Sequence, residues 1–129
     1  MIGRLKRRAE FLQVAAANRK WVAPGLILQV RRQPSTESES DDAPRAAELE
    51  PVRVGFTASR KVGNAVKRNR ARRRLRAVAE QVLPVHAERG HDFVLIARAA
   101  TVDRDFDALR NDLVAGLKRL KLYRQGAAA

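Results

Sequence analysis

Between residues 60 and 76 the chain reads Arg60-Lys61-Val62-Gly63-Asn64-Ala65-Val66-Lys67-Arg68-Asn69-Arg70-Ala71-Arg72-Arg73-Arg74-Leu75-Arg76. Nine of these seventeen residues are Lys or Arg and none is acidic, which leaves 18 basic and 14 acidic residues elsewhere. Guanidinium and ammonium groups at this density bind anions, and they bind phosphate oxygens best. A merely solvated face would mix its signs to relieve like-charge repulsion at i, i+4. Here no carboxylate appears until Glu80. The stretch is therefore a polyanion site rather than ordinary surface.

Its periodicity predicts a helix. Ala71, Leu75, Val78, Ala79 and Val82 fall at i, i+4, i+7, i+8 and i+11, which is one apolar stripe. Asn64 stands where an N-cap is wanted, Gly63 permits a sharp turn from a strand, and Pro84 suits the far end. At about 100° per residue, Arg72, Arg76, Asn69, Arg73, Arg70, Arg74 and Lys67 sweep round from one edge of the stripe to the other, with Arg68 close to the stripe itself. Such a helix docks its carboxyl half on a core and offers its amino half to an anion.

The whole chain has 129 residues and a formal net charge of +13, with a sequence pI near 11.5. That balance points to nucleic acid or an anionic membrane surface. The length predicts a single domain over 1–129 with one modest core. There is no cysteine, hence no disulfide framework and no thiolate metal site. The basic start is followed by no apolar run, so neither a secretory signal nor a spanning helix is expected, and the expected compartment is the cytoplasm.

The remaining elements must position the basic helix. Residues 4–17 predict a short helix, 18–25 a break with Pro24-Gly25 turn chemistry and Trp21 as a packing residue, and 26–31 a strand. In that strand Leu26, Leu28 and Val30 face the core, while Ile27, Gln29 and Arg31 face the other side. Residues 34–51 change composition to Ser, Pro and acid, with Arg45 the one cation, and predict a disordered insert between strands. Residues 52–59 form the next strand, with Val52, Val54, Phe56 and Ala58 inward. After the basic helix come a turn at Arg89-Gly90, a strand at 93–98, and a last helix capped by Asp103 with Phe106, Leu109, Leu113, Val114, Leu117 and Leu120 on one stripe. The sum is an α+β fold: a small two-layer sandwich with a mainly antiparallel sheet and three helices.

No catalytic constellation accompanies the charge. A metal nuclease needs clustered carboxylates. The acids here lie in the insert, singly, or as Asp103, Asp105 and Asp107 at a helix start, where capping is the better reading. His86 and His91 are poorly spaced for a shared metal and read as surface residues. No Gly-rich phosphate loop is present. Hence no catalytic residue and no metal ligand is assigned to this chain.

The segment from Val54 through Gly55-Phe56-Thr57-Ala58-Ser59 into the basic helix closely resembles the core of the bacterial ribonuclease P protein subunit. The resemblance rests on an Arg-Asn-Arg helix, Arg68-Asn69-Arg70, preceded by the turn Lys61-Val62-Gly63-Asn64-Ala65-Val66. Weaker similarity runs through the basic start to Phe11, the strand at 26–30, the strand ending in Ala97-Arg98 and the last helix, while 34–51 lies outside it. The resemblance implies a left-handed βαβ crossover at the basic helix. It implies a protein that binds a large catalytic RNA and the 5′ leader of precursor tRNA, and assists RNA-catalysed, magnesium-dependent removal of that leader. The magnesium is used by the RNA. The RNA-facing positions are Arg60, Lys61, Asn64, Lys67, Arg68, Asn69, Arg70, Arg72, Arg73 and Arg76. The leader cleft is implied at Phe11, Ile27, Gln29 and Arg98. For Asn64 the N-cap role stands beside RNA contact, and for Phe11 a helix-to-sheet contact stands beside the cleft. Ala15 and Gln29 occupy positions where the family often has aromatics, so stacking worth ~1–3 kcal/mol per base is not available there.

Three other readings compete. A ribosomal or RNA-chaperone protein would share the charge and size, but has no reason to keep the Gly63-Asn64 turn with Arg68-Asn69-Arg70. A stand-alone nuclease lacks its carboxylates. Membrane binding lacks a bulky apolar face on the basic half. DNA is disfavoured because the charges encircle the helix, which suits a multi-sided RNA fold better than one groove.

Overall fold

The computed structural model describes residues 2–33 and 52–124. The acidic insert 34–51 and the tail 125–129 lie outside the described residues. The elements are β1 (Ile2–Arg4), α1 (Arg8–Ala16), β2 (Arg19–Val22), β3 (Leu26–Arg32), β4 (Val52–Thr57), α2 (Ala65–His86), β5 (His91–Ala97) and α3 (Phe106–Arg119). One-turn 3-10 helices, Arg60–Val62 and Ala99–Val102, precede α2 and α3. The five strands form one sheet in the order β1-β4-β5-β3-β2.

The fold is the expected α+β sandwich with three helices. Its sheet is mixed: β1 and β5 run parallel to β4, while the β5-β3-β2 half is antiparallel. β4, α2 and β5 make a βαβ unit between neighbouring parallel strands, with Val54 opposite Phe93 and Phe56 opposite Leu95. Leu26, Leu28, Val30, Val54, Phe93 and Leu95 point to one face and are buried under α2 and α3. On the opposite face α1 covers a smaller cluster of Leu5, Val14 and Val94, flanked by Phe11 and Ile96.

Four expectations are corrected. The first helix starts at Arg8, not residue 4, because Ile2–Arg4 is a strand paired to β4 and Leu5 N–H donates to Val54 O at 3.0 Å. The Glu10 carboxylate then accepts from Lys6 and Arg7 N–H at 3.1 and 3.2 Å, satisfying donors that a helix start leaves open. Residues 19–22, read as a break, are the edge strand β2, and its charged, exposed side chains suit an edge. α2 continues two residues past Pro84, since one missing N–H in the last turn costs little where the next bond, Ala87 N–H to Leu83 O at 3.1 Å, still forms. Finally, Asp105 rather than Asp103 caps α3, accepting from Ala108 N–H at 3.2 Å. The residue directly before Phe106 is the one that the apolar stripe designates.

The two histidines are half-buried rather than plain surface. His86 stacks on Tyr123 with centroids 4.8 Å apart, and His91 Nδ1 lies 3.0 Å from Arg89 O.

Candidate nucleic-acid interface

The turn into α2 is built residue by residue. Ser59 Oγ accepts from Lys61 N–H at 3.3 Å and starts the 3-10 turn, and Val62 is buried as its anchor. Gly63 follows with φ +143°, a conformation L side chains rarely adopt, and a Cβ there would sit 2.7 Å from Lys67 Cδ. Asn64 then caps α2, its Oδ1 accepting from Lys67 N–H at 2.9 Å. The capping role of Asn64 is thus present in the fold.

Ala71, Leu75, Val78 and Ala79 are fully buried and Val82 nearly so, as the stripe requires. The charged residues divide into two sets. Four guanidinium groups have a partner within the protein. Arg68 Nη1 donates back to Gly63 O at 3.3 Å, and Arg72 Nη2 donates to Asn69 Oδ1 at 2.7 Å. Arg70 Nε donates to Val102 O at 2.9 Å, and Arg74 donates to Arg104 O. Arg70 and Arg74 therefore tie α2 to the segment that leads into α3. The second set is Arg60, Lys61, Lys67, Arg73 and Arg76. All five are exposed, and among the described residues their side chains make no hydrogen bond or ion pair. Asp103 and Asp105 are the acids at this end, and Asp105 is occupied as a cap.

The division gives a stability prediction. Arg70→Ala loses a charged hydrogen bond between α2 and the 3-10 turn, and the urea midpoint should fall by the equivalent of about 1 kcal/mol. Arg73→Ala, on the exposed set, should leave it within about 0.5 kcal/mol. Equal losses in both would remove the distinction.

Of the positions implied for the leader cleft, Phe11, Ile27 and Gln29 lie on the α1 face. The Phe11 ring rests on β4, where a Cβ at Gly55 would stand 2.5 Å from Phe11 Cζ. Gly55 is thus the residue that lets α1 approach, and the helix-to-sheet contact of Phe11 is present. Ile27 and Gln29 are half-buried opposite Ile96 and Val94 on the same face. Arg98 follows β5, with its guanidinium donating to Ala23 O at 2.6 Å and its N–H to Thr101 Oγ1 at 2.8 Å. Arg98 therefore has a structural bond where β5 ends. Ala15 is exposed on α1.

Sequence reasoning missed three contributors. Arg4 sits over the Phe56 ring at 5.3 Å, on the side of the sheet that carries α2, because β1 is a strand. Val66 is 74 % exposed on the outward line Val66, Asn69, Arg70, Arg73. The third is the buried Asp92, which binds Arg53 and Arg31 beneath α1. Only the i, i+3, i+4, i+7 spacing could have placed Val66 on that line, while the other two depend on pairings distant in sequence.

Among the described residues no three His, Cys, Asp or Glu side chains gather as a metal group, and no helix is long and apolar enough to cross a membrane. Among the described residues, three acids form ion pairs within the fold besides Asp92: Asp112 with Arg104 at 2.8 Å, Asp107 with Arg110 at 2.9 Å, and Glu10 with Arg53 at 3.1 Å.

Residues 3–121 match the ribonuclease P family. A ribonuclease P protein component from Paramagnetospirillum magneticum is 49 % identical over 128 residues, covering 99 % of this chain and 90 % of that one. One from Ruegeria pomeroyi is 44 % identical, covering 90 % and 84 %. Among solved structures, the Staphylococcus aureus RNase P protein superposes with a TM-score of 0.69 at 23 % identity, covering 94 % of this chain and 97 % of that one. The Thermotoga maritima RNase P protein gives 0.66 at 24 % identity, covering 92 % and 94 %. By sequence over nearly its whole length, and by fold, the chain belongs to the bacterial ribonuclease P protein subunit family.

Proposed function

We propose that this subunit holds the catalytic RNA of ribonuclease P with the amino half of α2, and the 5′ leader of precursor tRNA along the face between α1 and the sheet. The observation that carries the reading is the set of five exposed cations, Arg60, Lys61, Lys67, Arg73 and Arg76, on and beside a helix whose other half is locked into the core. Asn69 lends its oxygen to Arg72 and keeps its amide N–H groups for an RNA acceptor. Arg68 and Asn64 hold the turn and present their remaining donors beside it.

Magnesium belongs to the RNA in this reading. Of the described carboxylates, Glu10, Asp92, Asp107 and Asp112 are held by arginines and Asp105 serves as a cap, and no site for the ion is assigned to the chain. The subunit contributes positive charge and position, and the RNA performs hydrolysis. The reaction takes place in the cytoplasm.

Precursor-tRNA cleavage at low magnesium tests this directly, with the catalytic RNA alone and with the protein added. The protein alone should be inert and should stimulate the RNA. Binding without stimulation would favour a chaperone or ribosomal role instead, and cleavage by the protein alone would point to a nuclease.

A further inference from the structure

At the opposite end of α2 a second group of cations and rings comes together from segments that the reading above leaves unused. Arg19 at the start of β2 donates Nη2 to Leu120 O at 2.8 Å, fixing the edge strand against the end of α3. The Arg119 guanidinium carbon lies 4.9 Å from the centre of the Trp21 ring. Lys118 Nζ lies 4.9 Å over Tyr123, which stacks on His86. Lys121 is exposed beside them. Glu88, whose N–H donates to Leu122 O at 2.9 Å, is an acid at this end.

The helix dipole gives Lys118 and Arg119 a structural reason to stand in the last turn of α3. It gives none to the Trp21 indole under Arg119, whose Nε1 is buried without a hydrogen-bond partner among the described residues. Separation from the first site follows from length. α2 has 22 residues, so Ala65 and His86 stand about 30 Å apart. A single short ligand held at the amino end does not cover both.

We propose that β2 and the end of α3 form a second RNA-binding surface, specific for single-stranded segments. A guanidinium laid over an indole gives a charged platform on which an unpaired base can stack. The exposed Lys118 and Lys121 offer charge to backbone phosphates. The edge strand is open rather than concave, which suits a strand with free base faces better than a duplex.

Trp21 is the chain's sole tryptophan, so its fluorescence reports on this surface alone. The full chain is titrated with oligouridine while that signal is followed. The wild type should give a saturable change that persists in R73A/R76A. In K118A/K121A, which leaves Arg119 on Trp21, affinity should fall at least tenfold. At ~0.7 per phosphate contact, the salt slope should fall by about 1.4. No change in the wild type overturns the proposal, as does a signal lost in R73A/R76A and kept in the lysine variant. Binding of phosphatidylserine vesicles through these lysines, with no response to oligouridine, overturns it in favour of a membrane surface. Should the lysine variant misfold, photocross-linking of wild type to oligouridine decides. Cross-links at Trp21 or Tyr123 support the surface, and cross-links confined to residues 60–76 remove it. None of these readouts uses precursor-tRNA cleavage, so this surface and the subunit reading stand or fall separately.

Discussion

The variant K67A/R73A/R76A should bind the catalytic RNA about 100-fold more weakly than wild type near 0.1 M salt, with an unchanged melting temperature. The estimate follows from counterion release. Each phosphate contact contributes a slope of ~0.7–0.9 in log affinity against log salt, so at that concentration three lost contacts cost roughly two logarithmic units. The wild type, with six to nine contacts, should lose roughly 10³-fold or more between 50 and 200 mM salt. The melting temperature should hold because these three side chains are exposed and make no bond among the described residues. A filter-binding series over salt concentration reads both numbers. A flat salt response would sink the basic-helix model altogether. A large loss of melting temperature would show that the exposed cations serve the fold. R70A is the contrasting variant, because its guanidinium is held by Val102 O and its loss falls on the protein first.

That contrast shows how far the sequence carries. The apolar stripe of α2 is a local property of period 3.6, so Ala71, Leu75, Val78, Ala79 and Val82 were legible, and so were the Asn64 cap and the Gly63 turn. The helical wheel also placed Arg68 against the stripe, where it is half-buried. The wheel could not separate Arg70 and Arg74 from Arg73 and Arg76. Their difference lies in carbonyls of residues 102 and 104, some thirty positions away. β1 escaped for the same reason: three residues carry no period, and their partner strand begins at Val52. β2 escaped because an exposed edge strand with charged side chains has no apolar alternation to display. The positions implied for the leader cleft rest on the family resemblance alone. What the structure adds is Gly55 under Phe11, a close approach of α1 to the sheet that no local pattern announces.

The second large effect is expected where that cleft is anchored. Asp92→Ala should destabilise the protein by about 3–5 kcal/mol. Asp92 is fully buried on the α1 face. Its carboxylate accepts from Arg53 Nε and Nη2, both at 2.8 Å, from Arg31 Nη2 at 3.2 Å and from Gln33 Nε2 at 3.1 Å. Arg53 passes its Nη1 on to Glu10 of α1 at 3.1 Å. One carboxylate thus joins β3, β4 and β5, and through Arg53 it reaches the helix. Removing it takes their shared anion from two partly buried guanidinium groups, and that loss is the source of the cost. The thermal midpoint should fall by roughly 10–20 °C. Asp92→Asn, which keeps the shape and loses the charge, should fall in between. The Glu10 end is read by pH. The backbone N–H groups of Arg7, then Lys6, hold the Glu10 carboxyl below its usual range. Its contribution is therefore present above the unfolded carboxylate pKa and drains away as the pH drops through the folded one. The gap in stability between wild type and E10Q should close on that descent. His91, which burial holds below the ordinary imidazole range, adds a loss that begins at higher pH and is common to both proteins. Because α2 packs on the opposite face of the sheet, D92A held below its midpoint should still bind the catalytic RNA while its stimulation of leader removal falls. Wild-type stability in D92A would mean that the arginines find other partners. Wild-type stimulation would mean that the α1 face does not hold the leader.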